Sequence, residues 1–219
     1  MRKALFVALF IACTASIAFS QEEYKKGEIG AGYSANWVDT QGAFNSNPND
    51  SSRDLFNGFY VNGGGNFSRY WGIQGEVSHN RKDTNFNNLI FEPVNLKGRI
   101  TQALVGVKLQ DNAVDTKVRP FARALVGIAH FNADGTVQTS PTTTVNFSES
   151  DNGFAGVFGG GIAFRLSKSA DFVASADWNP IHTGNSSTTV SGTTVTNNGG
   201  WDHNFRAGVG VNFRFGGSK

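Results

Sequence analysis

The sequence predicts an all-β fold, a transmembrane antiparallel up-and-down β-barrel of eight strands. Three observations predict it. Eight stretches of the 219-residue chain alternate apolar and polar residues with a period of two, the pattern of strands with unlike faces. Their polar faces are mainly Gly, Asn and Ser with few charges, which suits a narrow interior better than a soluble exterior. The connectors alternate between short and long, and up-and-down strands bring every second connector to the same end.

Composition agrees. Charged residues make up 16%, aromatics 12%, and there are 27 Gly but 5 Pro. Residue types that favour helices do not occur in periodic runs. At the N-terminus, Arg2 and Lys3 precede the apolar "ALFVALFIACTASIAFS", with small residues at Ala18 and Ser20. Residues 1–20 therefore read as a secretory signal cut after Ser20, and 21–219 as the barrel domain, with strands within about 25–215. Thr14 and Ser16 interrupt the apolar stretch, which is too short for a comfortable spanning helix. The single Cys, Cys13, lies inside that signal, so the mature chain is expected to carry no disulfide, thiolate nucleophile or Cys-bound metal. Removing Arg2 and Lys3 leaves 17 of the 19 basic residues against 17 acidic ones, and nothing points to nucleic acid.

The strands follow in order. "EIGAGYSANWV" puts Ile29, Ala31, Tyr33, Ala35 and Trp37 on one face and Glu28, Gly30, Gly32, Ser34 and Asn36 on the other. "FYVNGGGNF" sets Phe59, Val61 and Phe67 against Tyr60, Asn62 and Asn66. "WGIQGEVSH" sets Trp71, Ile73 and Val77 against Gln74, Glu76 and Ser78. "TQALVGVKL" sets Ala103, Val105, Val107 and Leu109 against Gln102, Leu104, Gly106 and Lys108. "PFARALVGIAHF" is ambiguous in phase, but Arg123 favours Ala122, Ala124, Val126 and Ile128 as the apolar face. "GFAGVFGGGIAFRL" sets Phe154, Phe158, Ile162, Phe164 and Leu166 against Ala155, Gly159, Gly161 and Arg165. "ADFVASADWNP" sets Phe172, Ala174, Ala176 and Trp178 against Val173, Ser175, Asp177 and Asn179. "NFRAGVGVNFRF" closes the series, with Phe205 to Phe215 on one face and Arg206, Gly208 and Arg214 on the other. Each is near the roughly 9–11 residues that a tilted strand needs to cross a bilayer.

Short connectors lie near Tyr70, Asp111 and Lys168; long ones run approximately Asp39–Leu55, Asn80–Asn95, Asn132–Asn152 and His182–Gly200. Two of the long ones carry hairpin patterns, Gly135–Phe147 around Ser140-Pro141 and Thr188–Val195 around Ser191-Gly192. Their Thr-rich faces have too little apolar surface for lipid, so they are expected to extend past the membrane into water. If they crossed it, the count would rise to ten or more.

Sidedness follows from the Gly-rich faces. Turned outward, they would leave a soluble protein with little charge to guard its sheets. Turned inward, they fit a small lumen that side chains must just fill. The aromatics support this sense. Trp37, Trp178 and Trp201 mark the long-loop ends of their strands, and Trp71, Phe213 and Phe215 the short-turn ends, as two interfacial girdles would.

On these residues the chain resembles the small OmpA/OmpX-type outer-membrane β-barrel proteins of Gram-negative bacteria. The resemblance covers essentially Tyr24 to Phe215 and rests on the "PFARALVGIAHF" strand, the "GFAGVFGGGIAFRLS" strand with its short turn, and the last strand. It implies export to the bacterial outer membrane, a monomer surrounded by outer-membrane lipid, and no cofactor. Arg206, Gly208, Val211 and Phe213 look like the terminal signal read by the barrel-assembly machinery, although "GGSK" follows Phe215 where such proteins commonly end on an aromatic. No wall-binding domain is expected after the last strand.

The polar faces place Glu76, Lys108, Arg123, Arg165, Asp177, Arg206 and Arg214 in the lumen, where charges should pair. The bland reading is a structural plug of salt bridges; the sharper one is an ion path or gate. All four His residues, His79, His130, His182 and His203, fall at the long-loop rim, without the spacing that would fix a metal geometry. Ser78 and His79 lie next to each other but on opposite faces of a strand, which argues against a catalytic pair. The glycine runs Gly63–Gly65 and Gly159–Gly161 precede no helix and are not phosphate loops. The expected role is therefore structural or surface-interactive, in a non-enzyme with an unidentified surface partner. A narrow channel is the alternative, and a lipid-modifying enzyme a more distant one.

Overall fold

The structure, a computed structural model, describes residues 24–40, 44, 53–86, 94–140, 143–184, 186–190, 193–197 and 199–217. The signal segment 1–20, Cys13 included, lies outside the described residues.

Among the described residues ten strands follow one another: β1 (Gly27–Asp39), β2 (Arg53–Asn66), β3 (Trp71–Phe86), β4 (Val94–Gln110), β5 (Val118–Ser140), β6 (Thr143–Arg165), β7 (Ala170–Thr183), β8 (Ser186–Val190), β9 (Thr193–Asn197) and β10 (Trp201–Phe215). Eight of them close into one antiparallel barrel in the order β1-β10-β7-β6-β5-β4-β3-β2, and β8 and β9 form a separate two-stranded hairpin. The barrel closes where β1 pairs with β10, from Gly27↔Phe215 to Trp37↔Phe205. No edge is left open, which is what a membrane-spanning sheet requires.

The faces fall as the period-two pattern dictates. Ile29, Phe59, Val77, Val105, Ile128, Phe154, Trp178 and Phe205 are exposed on the outer surface. One girdle runs through the register Phe158↔Trp178↔Phe205↔Trp37. At the opposite end Trp71, Phe213 and Phe215 also face outward, and Phe215 lays its ring over Gly27, where any Cβ would collide with it.

The long connectors are shorter than the sequence suggests. β3 and β4 pair as far as Phe86↔Val94, and β5 and β6 as far as Ser140↔Thr143. Stretches assigned to loops at 80–95 and 132–152 are therefore largely strand. Alternation persists there, but polar side chains occupy both faces, so hydropathy alone does not mark them. The Gly135–Phe147 hairpin is simply the tip of β5 and β6, while Thr188–Val195 lies within the separate β8–β9 pair.

Candidate functional site

The lumen gathers ionisable side chains away from water, and it is filled in tiers. At mid-height stands a closed ring of two guanidiniums and two carboxylates. Arg123 on β5 donates from Nε and Nη2 to Asp177 on β7 at 3.1 and 2.6 Å, and from Nη1 to Glu76 on β3 at 2.9 Å. Arg206 on β10 reaches Glu76 Oε1 at 2.6 Å and Asp177 Oδ2 at 3.5 Å. Each acid touches both bases, the formal charges cancel, and all four side chains are buried. The geometry follows from parity: every one of these residues sits on the inward phase of its strand, and barrel closure brings four strands to one level.

Tyr60 packs beside this ring. Its space exists because three neighbours are glycines: a Cβ on Gly32 would come within 2.7 Å of the tyrosine ring, and one on Gly210 within 2.6 Å of its hydroxyl. Gly208 completes the same recess. Gly208 therefore shapes the lumen.

Towards the short turns lies a second charged tier. Lys108 donates to Glu28 at 2.5 Å and sits over the Phe121 ring, 5.1 Å from its centre. Arg214 and Arg119 share Asp171, Arg214 Nε at 2.7 Å. Arg165 lies at this mouth, partly exposed, and among the described residues it pairs with no carboxylate. The expectation that every lumen charge finds a partner thus fails at Arg165. Arg165 ends β6 and is only partly exposed, with its Nε buried and without a hydrogen-bond partner.

Towards the long loops the expected polar filling gives way. An amide tier comes first: Asn36 and Gln102 both donate to Asn179 Oδ1, at 3.3 and 3.1 Å, and Asn80 donates to Ser34 Oγ at 2.8 Å. Beside and above it Phe56, Ile100, Leu104, Leu125, Val157 and Ile181 form an apolar core inside the barrel. Phe44, from the β1–β2 connector, closes it, edge-on to Phe56 with ring centres 5.5 Å apart. Asp54 holds that closure: it accepts from the Phe44 amide at 3.2 Å, from Thr40 Oγ1, and from Lys82 at 2.5 Å. The packed polar filling expected of the lumen is therefore found in its lower part, under an apolar upper plug. The interior here is packed with apolar side chains, as in the core of a soluble protein.

Of the sequence candidates, Glu76, Arg123, Asp177 and Arg206 come together in one ring, whereas Lys108 and Arg214 belong to the lower tier. Sequence reasoning missed Glu28, Arg119 and Asp171 as members. Parity was the available signal, because Arg119 shares the phase of Arg123 and Asp171 that of Asp177.

The other candidates are kept apart. Ser78 Oγ is buried near Gln102 at 3.4 Å, while His79 faces outward with Nδ1 2.9 Å from Thr101 Oγ1. His203 stacks on Trp178 and His182 meets Trp201 edge-on, with ring centres 5.6 and 5.0 Å apart. Among the described residues no three His, Cys, Asp or Glu side chains gather as a metal site. In the last strand Arg206 and Gly208 point inward, whereas Val211 is half-buried and Phe213 faces outward.

Comparison with known proteins places this architecture. The outer membrane protein beta-barrel domain family matches residues 5–213. Among solved structures, Ail, the attachment invasion locus protein of Yersinia pestis, superposes with a TM-score of 0.52 at 16% identity, covering 88% of this chain and 99% of that one. A major outer membrane protein from Thermus thermophilus gives the same TM-score at 11% identity, covering 86% and 99%. At these identities the likeness is one of fold. No curated protein sequence matches.

Proposed function

The chain belongs to the outer membrane protein β-barrel domain family, and on that basis we propose that it is a non-conducting, non-enzymatic barrel with a structural and surface-interaction role. One observation carries this reading: the neutral ring of Glu76, Arg123, Asp177 and Arg206 spans the lumen from four strands, with a packed apolar plug above it. An ion entering this path would have to part buried ion pairs, which costs about 3–5 kcal/mol for each partner left alone. Strands β3 to β6, which run on past the apolar band, then serve as the platform that meets partners at the cell surface. The monomer is lipid-surrounded and needs no cofactor. The last strand, through Arg206, Gly208, Val211 and Phe213, is the segment that the assembly machinery would read before closure buries Arg206. Export would use the cleaved N-terminal signal.

Planar-bilayer recording of the purified barrel tests the proposal. The expected trace is flat apart from detergent noise. Reproducible conductance steps that vanish on boiling the protein would overturn it in favour of a channel.

A further inference from the structure

At the short-turn end of the lumen, neighbouring strands bring charged side chains to one place. Asp171 on β7 stands on the rung Asn212↔Asp171↔Arg165, between β10 and β6. Its Oδ2 meets Arg214 Nε of β10 at 2.7 Å and also Arg119 Nη2 of β5. Arg165, across the ladder from Asp171, adds a third guanidinium, near enough for its charge to act on Arg214. Glu28, the ladder partner of Arg214, is engaged by Lys108 at 2.5 Å. Lys108, Arg119, Arg165 and Arg214 thus face Glu28 and Asp171. Four positive charges against two negative leave an excess of two among the described residues. The ring at mid-height does not offset it, because its own two bases and two acids cancel.

Burial makes this excess matter, since an uncompensated charge away from water is costly. Arg119 is 0% exposed and Arg214 2%. Much of the donor capacity is also unused. Arg119 Nε and Nη1, Arg214 Nη1 and Nη2, and Arg165 Nε are all buried without a hydrogen-bond partner. One acceptor is left over beside them, Asp171 Oδ1. The cluster therefore calls for two negative charges and several acceptors, together with one donor.

We propose that this cluster binds hydrogen phosphate. The dianion supplies both charges, and its unprotonated oxygens accept from the guanidinium forks of Arg119, Arg165 and Arg214. Its single O–H donates to Asp171 Oδ1. Sulfate carries the same charge but no proton, so it would set a bare oxygen against that carboxylate. The ion enters past Arg165, which is partly exposed, with Lys117 and Lys168 exposed at the same end. Held there, phosphate ties β5, β6, β7 and β10 together on the short-turn side of the ring. The site does not depend on whether the lumen conducts.

Isothermal titration calorimetry of the full barrel in a phosphate-free maltoside detergent tests it. Inorganic phosphate is the probe and sulfate the comparator, at constant ionic strength above pH 7. The expected result is one phosphate per barrel, bound at least tenfold tighter than sulfate. Arg165→Gln should weaken phosphate binding at least tenfold, and no described ion pair depends on that residue. Asp171→Asn should bind the two anions alike. Arg53→Gln removes the same charge from an exposed position at the opposite end and should leave the phosphate affinity unchanged. Heat-modifiable gel mobility checks that each variant still closes its barrel; should Asp171→Asn fail to fold, Arg165→Gln carries the test. Four outcomes each overturn the proposal: no saturable phosphate binding, equal affinity for phosphate and sulfate in the wild type, an unchanged affinity in Arg165→Gln, or an equal loss in Arg53→Gln. A phosphate preference that survives in a folded Asp171→Asn barrel would overturn it too.

Discussion

Neutralising Glu76 and Arg206 together should harm the barrel less than the sum of neutralising each alone. The ring holds two positive and two negative groups, with Arg206 Nη1 2.6 Å from Glu76 Oε1. Glu76→Gln leaves two guanidiniums facing Asp177, a buried excess of one positive charge. Arg206→Gln leaves two carboxylates facing Arg123, an excess of one negative charge. Breaking a buried pair in this way costs about 3–5 kcal/mol. The double variant keeps the two-bond Arg123–Asp177 pair, at 3.1 and 2.6 Å, and restores neutrality. Its loss should therefore be close to that of one single variant, leaving a coupling of at least about 2 kcal/mol, roughly thirtyfold in an equilibrium constant. Urea unfolding from lipid vesicles measures this. The four tryptophans, Trp37, Trp71, Trp178 and Trp201, all lie on the outer face, so their emission reports departure from the bilayer. Additivity within about 0.5 kcal/mol would show that the four charges do not act as one ring.

Two further expectations rest on the ends of the barrel. Phe44→Ala removes the closing ring of the apolar plug and should cost about 3–5 kcal/mol in the same unfolding assay, the range for a buried Phe; a loss under about 1 kcal/mol would mean that the β1–β2 connector does not hold the plug. At the short-turn end, hydrogen bonds from Arg69 to Asp111 are the largest cause holding its carboxyl below the usual range, against a smaller opposing effect of burial. A carboxyl whose pKa is depressed on folding stabilises the protein above its unfolded pKa of about 3.9, and that contribution disappears as pH falls through the folded value. The thermal midpoint of the wild type should therefore drop below about pH 4 more than that of Asp111→Asn, as read by heat-modifiable mobility between pH 5 and pH 2; parallel curves would refute the role of Asp111.

Alternation alone carries the fold class. A run such as Phe205, Ala207, Val209, Val211, Phe213 has only one phase in a strand, and the Gly-rich opposite phase has only one place to go in a small barrel. The inward placement of Glu76, Arg123, Asp177 and Arg206 follows from the same parity. Parity already sets Glu28 on the polar face of its strand, and it places Arg119 and Asp171 in the same way once each strand's phase is carried to its ends.

Which charges meet is another matter. Parity gives a face but not a height, and height is set by the shear of a closed barrel. Only the register makes Arg206 level with Glu76 while leaving Arg214 to Asp171. The apolar plug was out of reach for the same reason. Leu104 and Leu125 read locally as exceptions on polar faces, and they become a core only when closure collects them with Phe56 and with Phe44 from a distant connector. The strands, their faces and the sense of the barrel were legible in the chain alone, because those depend on neighbours two residues apart. The ring, the plug and the arginines gathered around Asp171 came only with the closed barrel, because those depend on which strands stand side by side and in what register.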